Sequence, residues 1–363
     1  MTKHISKTGS IALFSSGMLS HRREIEYLSG CRIQFYRAKQ PLHSDTIAIG
    51  GWGYKDSANI ARRRAEKEGL PYWAFEDAFV RSVQPGIAEP SASMLLDKTG
   101  IFYDARSESR LFDLIATGHV SATEAESAEA VAAHLTDRSI SKYNNVAPDT
   151  LPDALKRLRD GSAIVIVDQT QGDASIPGAL ALPEHFQDMI QTALQETEGL
   201  PLIVKTHPDV MAGLKHGYIG THWRDERLVW LQDPVSPWRL FEKARAVFTV
   251  SSQLGMEALM AGVPVRCWGL PFYAGWGQTQ DKTGKNDISR GDRSLPEIIH
   301  AAYLGYAHYF DHWKRTPVDV HEAIEQVAYL RGQQMATPRR SFSFLPRKAE
   351  QWVYRHLQRP HRP

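Results

Sequence analysis

Hydrophobic and polar positions along the chain follow two alternating patterns. Short apolar, β-branched or aromatic runs, which are typical of buried strands, are separated by segments in which apolar residues recur at helical spacing. In the first half of the chain, the strand-like runs are residues 11–14, 32–36, 46–50 and 72–75. Strands and helices that alternate in this way predict a parallel sheet with crossover helices.

The second half of the chain repeats this alternation. Its strand-like runs are residues 163–168, 202–205, 228–231, 246–251 and 264–268. Between the first two runs, apolar residues at helical spacing form one predicted helix face, which consists of Phe186, Met189, Ile190, Ala193 and Leu194. We expect a doubly wound sheet here, with ligands bound beyond the carboxyl ends of its strands.

Two other segments shape the expected domain organisation. Residues 94–104 contain two short apolar runs around a Lys-Thr-Gly turn, which predicts a β-hairpin. Pro148 and Pro152 follow a polar, helix-like stretch and mark a boundary near residue 155. We therefore predict an α/β fold of GT-B architecture. Two Rossmann-like domains, residues 1–155 and 156–335, would face a central cleft, and residues 336–363 would form a basic helical tail.

Composition excludes fewer classes of protein than the pattern of hydrophobic and polar positions does. A chain of 363 residues with 42% hydrophobic and 23% charged residues suits two ordinary globular domains. No apolar run reaches the roughly 20 residues that span a bilayer, and the N-terminus lacks the features of a secretory signal. We therefore expect a cytoplasmic protein. Cys31 and Cys267 lie in separate strand-like runs without metal-ligand spacing, and we interpret both as buried thiols.

The tail concentrates positive charge. Beyond Arg331 the one acid is Glu350, whereas the basic residues are Arg339, Arg340, Arg347, Lys348, Arg355, Arg359 and Arg362. Aromatic and aliphatic residues are interleaved with these cations, which suits an anionic membrane surface and a peripheral location on the inner face of the inner membrane. The alternative is a terminal helix that packs across the domains with a solvated basic face. Nucleic-acid binding is not expected, because no recognised module accompanies the charge.

Cationic and hydroxyl side chains follow two strands of the second half. The run that ends at Lys205 continues into His207, and the run that ends near residue 250 continues into Ser251, Ser252 and a helix-like segment. A helix N-terminus offers free N–H groups to an anion, so these residues predict a nucleotide phosphate site, with simple capping as the alternative for the serines. Lys205 or His207 would neutralise the phosphate, and no Asp-x-Asp pair or His cluster stands in the sequence, so we predict no metal and no cofactor.

Acidic candidates form two groups. Glu76 and Asp77 follow one strand of the first half, and Asp168 and Asp173 lie in the loop after the first strand of the second half. Each of them alone is as well explained by capping of the next helix. Together they would place carboxylates from both domains on opposite walls of one cleft, where glycosyl transfer needs a base or a nucleophile with an acid/base. The glycine- and aromatic-rich segment 268–277 follows the last strand and predicts a lid over the nucleotide.

These motifs resemble the capsule-polysaccharide β-Kdo transferases of the KpsC/KpsS type. The resemblance rests on Gly51-Trp52-Gly53 and on the segments 69–82, 95–104, 168–176, 205–209, 250–259 and 269–277, which follow the order of the family. It implies a GT-B fold with an N-terminal acceptor-side domain and a C-terminal donor domain. It also implies CMP-β-Kdo as the donor, a Kdo- or sugar-terminated glycolipid or polysaccharide as the acceptor, and retention of the β configuration through a covalent adduct. In length the chain resembles one catalytic module, whereas KpsC carries two.

The resemblance also implies roles for single residues. Asp173 would be the nucleophile, although the local sequence leaves Asp168 open, and Glu76 would be the acceptor-side acid/base. His207 would contact the donor near its phosphate, and Arg81 would pair with the sugar carboxylate. The other residues expected to bind the donor are Lys205, Ser251, Ser252, Gln253, Glu257, Gln169, Tyr273, Trp276 and Gly277.

One departure from the family pattern supports an alternative. Ala78 stands where the family usually has glycine, and a methyl group there would disfavour a positive φ beside Glu76. Ala78 thus favours a non-catalytic capsule assembly protein, and a second alternative is a transferase for another CMP-activated ulosonic acid, such as a sialyltransferase. A dinucleotide oxidoreductase is disfavoured, because Asp56 stands where the fingerprint that begins at Gly51 requires its third glycine.

Overall fold

The computed structural model describes residues 9–84, 89–197, 199–211, 213–282 and 290–336. Its strands are β1 (Ser10–Leu13), β2 (Arg32–Phe35), β3 (Thr46–Trp52), β4 (Tyr72–Asp77), β5 (Ser93–Asp97), β6 (Ala163–Val167), β7 (Leu202–Lys205), β8 (Leu228–Leu231), β9 (Ala244–Thr249), β10 (Val265–Cys267), β11 (Gln280–Asp281), β12 (His308–Phe310) and β13 (Pro317–Val318).

The α-helices are α1 (Arg22–Ser29), α2 (Asn59–Glu68), α3 (Arg110–Thr117), α4 (Ala122–Asp137), α5 (Asp153–Lys156), α6 (Ser175–Gly178), α7 (Pro183–Glu196), α8 (Pro208–Met211), α9 (Pro237–Lys243), α10 (Gln253–Met260), α11 (Leu295–Ile299) and α12 (Val320–Ala336). A π-helix spans His300–Tyr306, and two 3-10 helices span Ser16–His21 and Asp56–Ala58. The predicted basic tail falls, from residue 337 onward, outside the described residues.

The strands predicted from the apolar runs are confirmed, with ends that shift by at most two residues. The hairpin predicted over residues 94–104 is wrong. Only its first run forms a strand, β5, which pairs antiparallel with β4 and with β12. After this strand, Asp97 Oδ1 accepts hydrogen bonds from the backbone N–H groups of Thr99 and Gly100, both at 2.9 Å. This side-chain turn redirects the chain before a second strand can form.

The chain divides into two compact units at a place that the sequence did not indicate. One unit contains the residues up to Ile101 and those from Ala307 onward, and the other contains Phe102–Tyr306. These limits differ from the predicted boundary near residue 155. The chain returns to the first unit after Tyr306, and there the Phe310 N–H donates to the Ala92 carbonyl at 2.9 Å. The returning strand β12 has three residues, which is too short to produce a periodic signal.

The first unit contains a seven-stranded sheet of order β13-β12-β5-β4-β3-β1-β2. Strands β1 to β4 pair parallel, as predicted, and β5, β12 and β13 add an antiparallel edge. Along β1, Ile11 and Leu13 belong to one core, whereas Ala12 packs on the opposite face with Ala61 and Ala65 of α2. Because side chains alternate along a strand, apolar residues in succession require cover on both faces of the sheet.

The second unit contains a six-stranded parallel sheet of order β11-β10-β9-β6-β7-β8. The chain runs from β6 through β7 to β8 on one side, and then returns to place β9, β10 and β11 on the other side. The direction of winding therefore reverses between β6 and β9. In open α/β sheets, ligands bind at such a reversal, beyond the carboxyl ends of the strands.

Helix α7 confirms the apolar face that the sequence predicted. It begins at Pro183, whose missing N–H costs nothing at a helix start. Phe186, Met189, Ile190 and Ala193 are fully buried in the core that the helix forms with β6 and β7. Burial of this stripe holds the helix against the sheet and thus fixes the end of the loop that precedes the helix.

Two further findings concern single features. Cys31 and Cys267 are buried free thiols, as predicted. Within the ranges that the structure describes, no helix is both long enough and apolar enough to cross a bilayer.

The stability of the second unit should depend on the absence of a side chain at Gly178. Its carbonyl accepts the Ala105 N–H at 2.7 Å, and a Cβ atom at Gly178 would lie 2.1 Å from the Tyr103 carbonyl oxygen. Because a backbone atom cannot yield easily, we expect Gly178→Ala to lower the free energy of unfolding by about 2–3 kcal/mol. Urea denaturation measures this change.

Gly332→Ala is the matched control, because Gly332 lies in α12 and a Cβ there meets nothing within 4 Å. The control should be neutral or stabilising by up to about 1 kcal/mol, since alanine is the better helix former. Equal unfolding midpoints for the two variants would contradict the close approach at Gly178.

Candidate functional site

The second unit brings its predicted site residues to one edge of its sheet. Strands β9, β6 and β7 are adjacent and parallel, so the loops that follow them leave the sheet at the same edge. These loops are residues 168–174 after β6, 206–207 after β7 and 250–252 after β9. Six of the predicted site residues lie in these three loops, and the sheet order explains why the loops meet: Asp168, Gln169, Asp173, His207, Ser251 and Ser252.

A hydrogen-bond network ties the loops on the two sides of the chain reversal. Gln169 Oε1 accepts the Ser251 N–H at 2.9 Å, and Gln169 Nε2 donates to Ser251 Oγ at 3.1 Å. Ser175 Oγ lies 3.1 Å from Ser251 Oγ. Gln169 and Ser251 are buried, so the network is rigid, while the rotatable hydroxyl protons can be redirected to an anion.

Ser252 is the N-cap of α10, which agrees with the capping alternative for the serines. Its Oγ accepts the Leu254 N–H at 3.3 Å. The helix ends at Met260, and Gly262 adopts the left-handed conformation with φ of +74°, which agrees with the predicted stop. Ser251 therefore supplies the hydroxyl nearest to the chain reversal, and Ser252 orients the helix start.

Lys205 is the cation of this edge. It is the last residue of β7 and is partly buried. Burial lowers the pKa of Lys205 to about 8, an effect that the negative charge of Glu257 opposes. Glu257 is the acidic side chain whose charge acts on its ammonium group. A partly desolvated cation of this kind can pair with an anionic ligand.

His207 follows Lys205 at the same edge of the sheet, and one of its two ring nitrogens is bonded to the backbone. Its Nδ1 atom accepts the Asp209 N–H at 3.1 Å, so the neutral ring carries its proton on Nε2. Burial lowers the pKa of His207, while the charges of Asp209 and Asp173 oppose this shift and the charge of Lys205 adds to it. The structure thus brings Asp173 and His207 within electrostatic reach, and His207 is a neutral Nε2–H donor at pH 7.

The two aspartates of the β6 loop have different environments. Asp168 Oδ1 accepts the N–H groups of Gln169, Tyr218 and Ile219 at 2.9, 3.0 and 3.1 Å. Burial raises the pKa of Asp168 to about 6, although these three hydrogen bonds act against the rise. Asp173 is partly exposed, and its Oδ1 accepts one N–H, that of Ser175, at 2.9 Å. Asp168 therefore anchors a neighbouring loop, which leaves Asp173 as the accessible carboxylate.

In the first unit, Glu76 lies at the carboxyl end of β4, and its Oε1 atom collects several donors. Trp52 Nε1 donates at 2.7 Å, Lys55 Nζ at 3.1 Å and the Asp77 N–H at 3.3 Å. The Glu76 side chain is 7% exposed, whereas that of Lys55 is 52% exposed. A buried carboxylate is thus held in one orientation by a neutral donor and a half-exposed cation.

Arg81 makes its contacts within the first unit. Its Nε donates to Asp77 Oδ2 at 2.6 Å, and one terminal nitrogen donates to Ser82 Oγ at 2.8 Å. Both members of the ion pair are buried, and breaking such a pair would leave an uncompensated charge. These contacts account for the burial of Arg81 without a ligand, and its predicted role at the sugar carboxylate stays a prediction.

The predicted aromatic lid over residues 268–277 is wrong for its two named aromatics. Tyr273 and Trp276 are fully buried in the second unit, so neither presents a face to a nucleotide. Tyr273 donates its hydroxyl to the Ser252 carbonyl at 2.6 Å, and Trp276 donates its ring N–H to the Phe272 carbonyl at 2.8 Å. Gly277 adopts φ of +82° and turns the chain away. Through the Tyr273 hydroxyl, the segment contacts the N-cap of α10.

Gln253 and Glu257 also have partners inside the protein. Glu257 accepts hydrogen bonds from Ser141 Oγ at 2.9 Å, from Gln253 Nε2 at 3.1 Å and from the Lys142 N–H at 3.3 Å. Burial raises the pKa of Glu257 to about 7, against the effect of these hydrogen bonds. The pair ties α10 to the segment after α4, and its predicted contact with the donor stays a prediction.

Sequence reasoning missed three contributors to these clusters. Ser175 completes the Gln169 and Ser251 network, and Trp52 and Lys55 hold Glu76. A usable signal existed for the first two, because Ser175 and Trp52 lie in segments that carry the resemblance. Lys55 had no signal, since only the turn after β3 brings it back to the end of β4.

Ala78 does not have the conformation that made it a concern. It follows Glu76 and Asp77 as a buried residue, and it is not among the non-glycine residues with positive φ, which are Ser139, Leu180 and Arg315. Its methyl group therefore causes no backbone strain. The backbone at Ala78 therefore gives no support to the non-catalytic alternative.

The positions of the His, Cys, Asp and Glu side chains bear on metal binding. Within the described ranges, no group of three or more His, Cys, Asp or Glu side chains is placed to hold a metal ion. The expected independence of metal stays a prediction.

Comparison with known proteins identifies relatives over most of the chain. LipA, a capsule polysaccharide modification protein of Neisseria meningitidis serogroup B (strain ATCC BAA-335 / MC58), is 35% identical over 297 residues, which cover 80% of this chain and 42% of LipA. LpsZ, a lipopolysaccharide-processing protein of Rhizobium meliloti, is 31% identical over 282 residues, which cover 76% of this chain and 63% of LpsZ. The chain thus spans less than two thirds of the length of these curated relatives.

Solved structures agree with this relationship. The beta Kdo 2,4 transferase of Thermosulfurimonas dismutans KpsC is 33% identical, covers 90% of this chain and 99% of its own, and superimposes with a TM-score of 0.79. The beta Kdo 2,7 transferase of the same KpsC is 22% identical, with a TM-score of 0.64 over 90% of this chain and 100% of its own, and supports the fold alone. The predicted GT-B fold class is confirmed.

The model of the family described as capsule polysaccharide biosynthesis protein matches residues 47–310, well over half of the chain. Its span includes β4 and the three loops at the edge of the second sheet. On this match, and on relatives of more than 30% identity, the chain belongs to the capsule polysaccharide biosynthesis protein family.

Proposed function

We propose that the chain is a glycosyltransferase that moves Kdo from CMP-β-Kdo to a glycolipid or polysaccharide acceptor in capsule biosynthesis, with retention of configuration. One observation carries this proposal. Asp173 lies within electrostatic reach of His207 at the sheet edge that also holds Lys205 and Ser251, in a chain that is 33% identical to a beta Kdo 2,4 transferase. This edge combines a carboxylate with groups that suit a phosphate.

In the first step, a carboxylate oxygen of Asp173 attacks the anomeric carbon of the sugar. The bond from that carbon to the phosphate oxygen breaks, and its electron pair leaves with CMP. Lys205 supplies a cation to the developing charge, and His207 Nε2–H and the Ser251 hydroxyl supply hydrogen bonds. A phosphate leaving group needs no proton at this stage, so a neutral His207 is sufficient.

In the second step, Glu76 accepts the proton of the acceptor hydroxyl. The acceptor oxygen attacks the anomeric carbon, and the bond between that carbon and Asp173 breaks with its electron pair returned to the carboxylate. Two inversions in sequence give net retention. A transferase for another CMP-activated ulosonic acid would use the same residues, and competition between donors separates the two.

The covalent intermediate is directly testable. Incubation with CMP-Kdo and no acceptor should add the mass of one Kdo residue to Asp173, and Glu76→Gln should retain the adduct longer after acceptor is added. Intact-protein mass spectrometry with peptide mapping measures this adduct. Asp173→Asn should form none, whereas the control Asp168→Asn should form it, because Asp168 serves the loop. An adduct-free wild type that still transfers Kdo would exclude double displacement.

Transfer should also persist in EDTA. The leaving phosphate is neutralised by Lys205 and by hydrogen bonds, so chelation is expected to change the rate of Kdo transfer by less than about twofold. The rate is measured with and without EDTA, and with added Mg²⁺ as the control. A rate that collapses in EDTA and returns with Mg²⁺ would exclude this account of phosphate binding.

Donor binding should weaken as the pH rises through about 8. Burial lowers the pKa of Lys205 to about 8, so the cation is present below that pH and is lost above it. We expect the KM for CMP-Kdo to rise about tenfold between pH 7 and pH 9, the effect of one lost charge-assisted hydrogen bond. Lys205→Met should give a high KM that no longer depends on pH in this range.

Lys156→Met serves as the matched control for the pH experiment, because Lys156 pairs with Asp153 on the exposed surface of the same unit. It should retain the wild-type rise in KM. An unchanged pH profile in Lys205→Met would show that another group titrates.

A further inference from the structure

We propose that Trp52 and Lys55 are positioning residues for the second step, which together hold the Glu76 carboxylate by its Oε1 atom in the orientation and charge state of a base. This inference rests on the proposed role of Glu76. It goes beyond that role because it assigns a task to two residues outside the acidic motif. Trp52, Lys55 and Glu76 all lie in the first unit.

The contacts converge on one atom. Trp52 Nε1 lies 2.7 Å and Lys55 Nζ lies 3.1 Å from Glu76 Oε1. Both side chains are donors without acceptor capacity, so each is satisfied by a carboxylate oxygen. Glu76 itself is buried. A buried carboxylate that meets two such donors is restricted to a single rotamer, which a base needs to meet its substrate proton.

The local backbone is built to present these two donors. Gly51 has no room for a side chain, since a Cβ atom would lie 2.2 Å from the Tyr72 hydroxyl. That hydroxyl donates to the Gly53 carbonyl at 2.6 Å, and Gly53 adopts φ of +52°. The turn therefore closes against β4, with Trp52 on the last position of β3 and Lys55 three residues later. The Gly51-Trp52-Gly53 motif is explained by this geometry and not by a nucleotide.

The two donors make different contributions. Burial of a carboxylate favours its protonated form, which cannot accept a proton from a hydroxyl group. The charge of Lys55 opposes this effect, although water screens it because the side chain is half exposed. Trp52 carries no charge and packs beside the His21 ring at a centroid distance of 4.9 Å, so it mainly fixes direction.

The other charged and titratable groups around Glu76 come from several elements. Asp77, next in β4, is neutralised by its ion pair with Arg81. Tyr72, also in β4, is kept as a neutral phenol because burial raises its pKa above the usual range. The His21 ring contacts Trp52 from the 3-10 helix before α1. Lys55 thus supplies the cation that contacts the Glu76 carboxylate in this set.

The experiment separates the two chemical steps. Single-turnover kinetics measure adduct formation on Asp173 and, after acceptor is added, its discharge. Lys55→Met and Trp52→Phe should leave the rate of adduct formation unchanged, because Glu76 takes no part in it. Discharge should slow by about tenfold in Trp52→Phe, the effect of one lost hydrogen bond to a charged group.

The pH profile of discharge gives the second readout. Discharge requires an ionised Glu76, so its rate falls as the pH drops through the pKa of the base. Removal of the cation should shift this acidic limb upward by roughly half to one pH unit in Lys55→Met, and Lys55→Arg should restore it. If Lys55 had a purely structural role, Lys55→Met would lower the rate of discharge at every pH without shifting the acidic limb.

Lys98→Met and Trp73→Phe are the matched controls. Lys98 follows β5 and lies over the ring of Trp73 in β4 at 4.1 Å, so it has an aromatic partner of its own, and these variants should discharge the adduct at the wild-type rate. If no adduct forms in the wild type, the proposed function fails. If Glu76→Gln slows discharge while Lys55→Met leaves the limb in place and Trp52→Phe leaves the rate unchanged, only this inference is overturned.

Discussion

The parallel pairing of β9, β6 and β7 is the constraint on which the second unit depends. Parallel neighbours must end at the same edge, and the reversal between β6 and β9 opens that edge because the two following loops turn to opposite sides. The Gln169 side chain then bridges the opening through Ser251. Lys205 and His207 arrive from the third strand. No single loop could assemble this set, because each contributes one or two side chains.

Buried carboxylates in the two units are stabilised in different ways. Asp168 and Glu257 are held by backbone and side-chain hydrogen-bond donors, and burial still raises their pKa values to about 6 and about 7. Both tie segments of the chain together, a task that a partly protonated group performs well. Glu76 is met by the Lys55 ammonium instead. The chain therefore places a cation at the carboxylate that is proposed to accept a proton.

Sequence reasoning succeeded where the signal is local. Runs of β-branched residues predicted β6, β7 and β9, and the apolar spacing from Phe186 to Ala193 predicted the buried face of α7. It failed where long-range packing decides. A segment rich in glycine and aromatics has the same composition in a lid and in a core. Tyr273 is buried because Gly255 leaves space for it, with a Cβ position only 2.1 Å from the Tyr273 hydroxyl. The sequence neighbours of Tyr273 do not reveal this contact with Gly255.

Long-range contacts also distinguish the two aspartates of the β6 loop. A nucleophile must offer a lone pair to carbon, and every hydrogen bond that a carboxylate accepts reduces the electron density available for attack. Asp168 accepts three backbone N–H groups on Oδ1, and its Oδ2 lies against Gly217, where a Cβ atom would come within 2.1 Å. Asp173 accepts one N–H and is partly exposed. Asp168 immobilises the loop that also carries the lightly bonded Asp173, and Asp173 lies within electrostatic reach of His207.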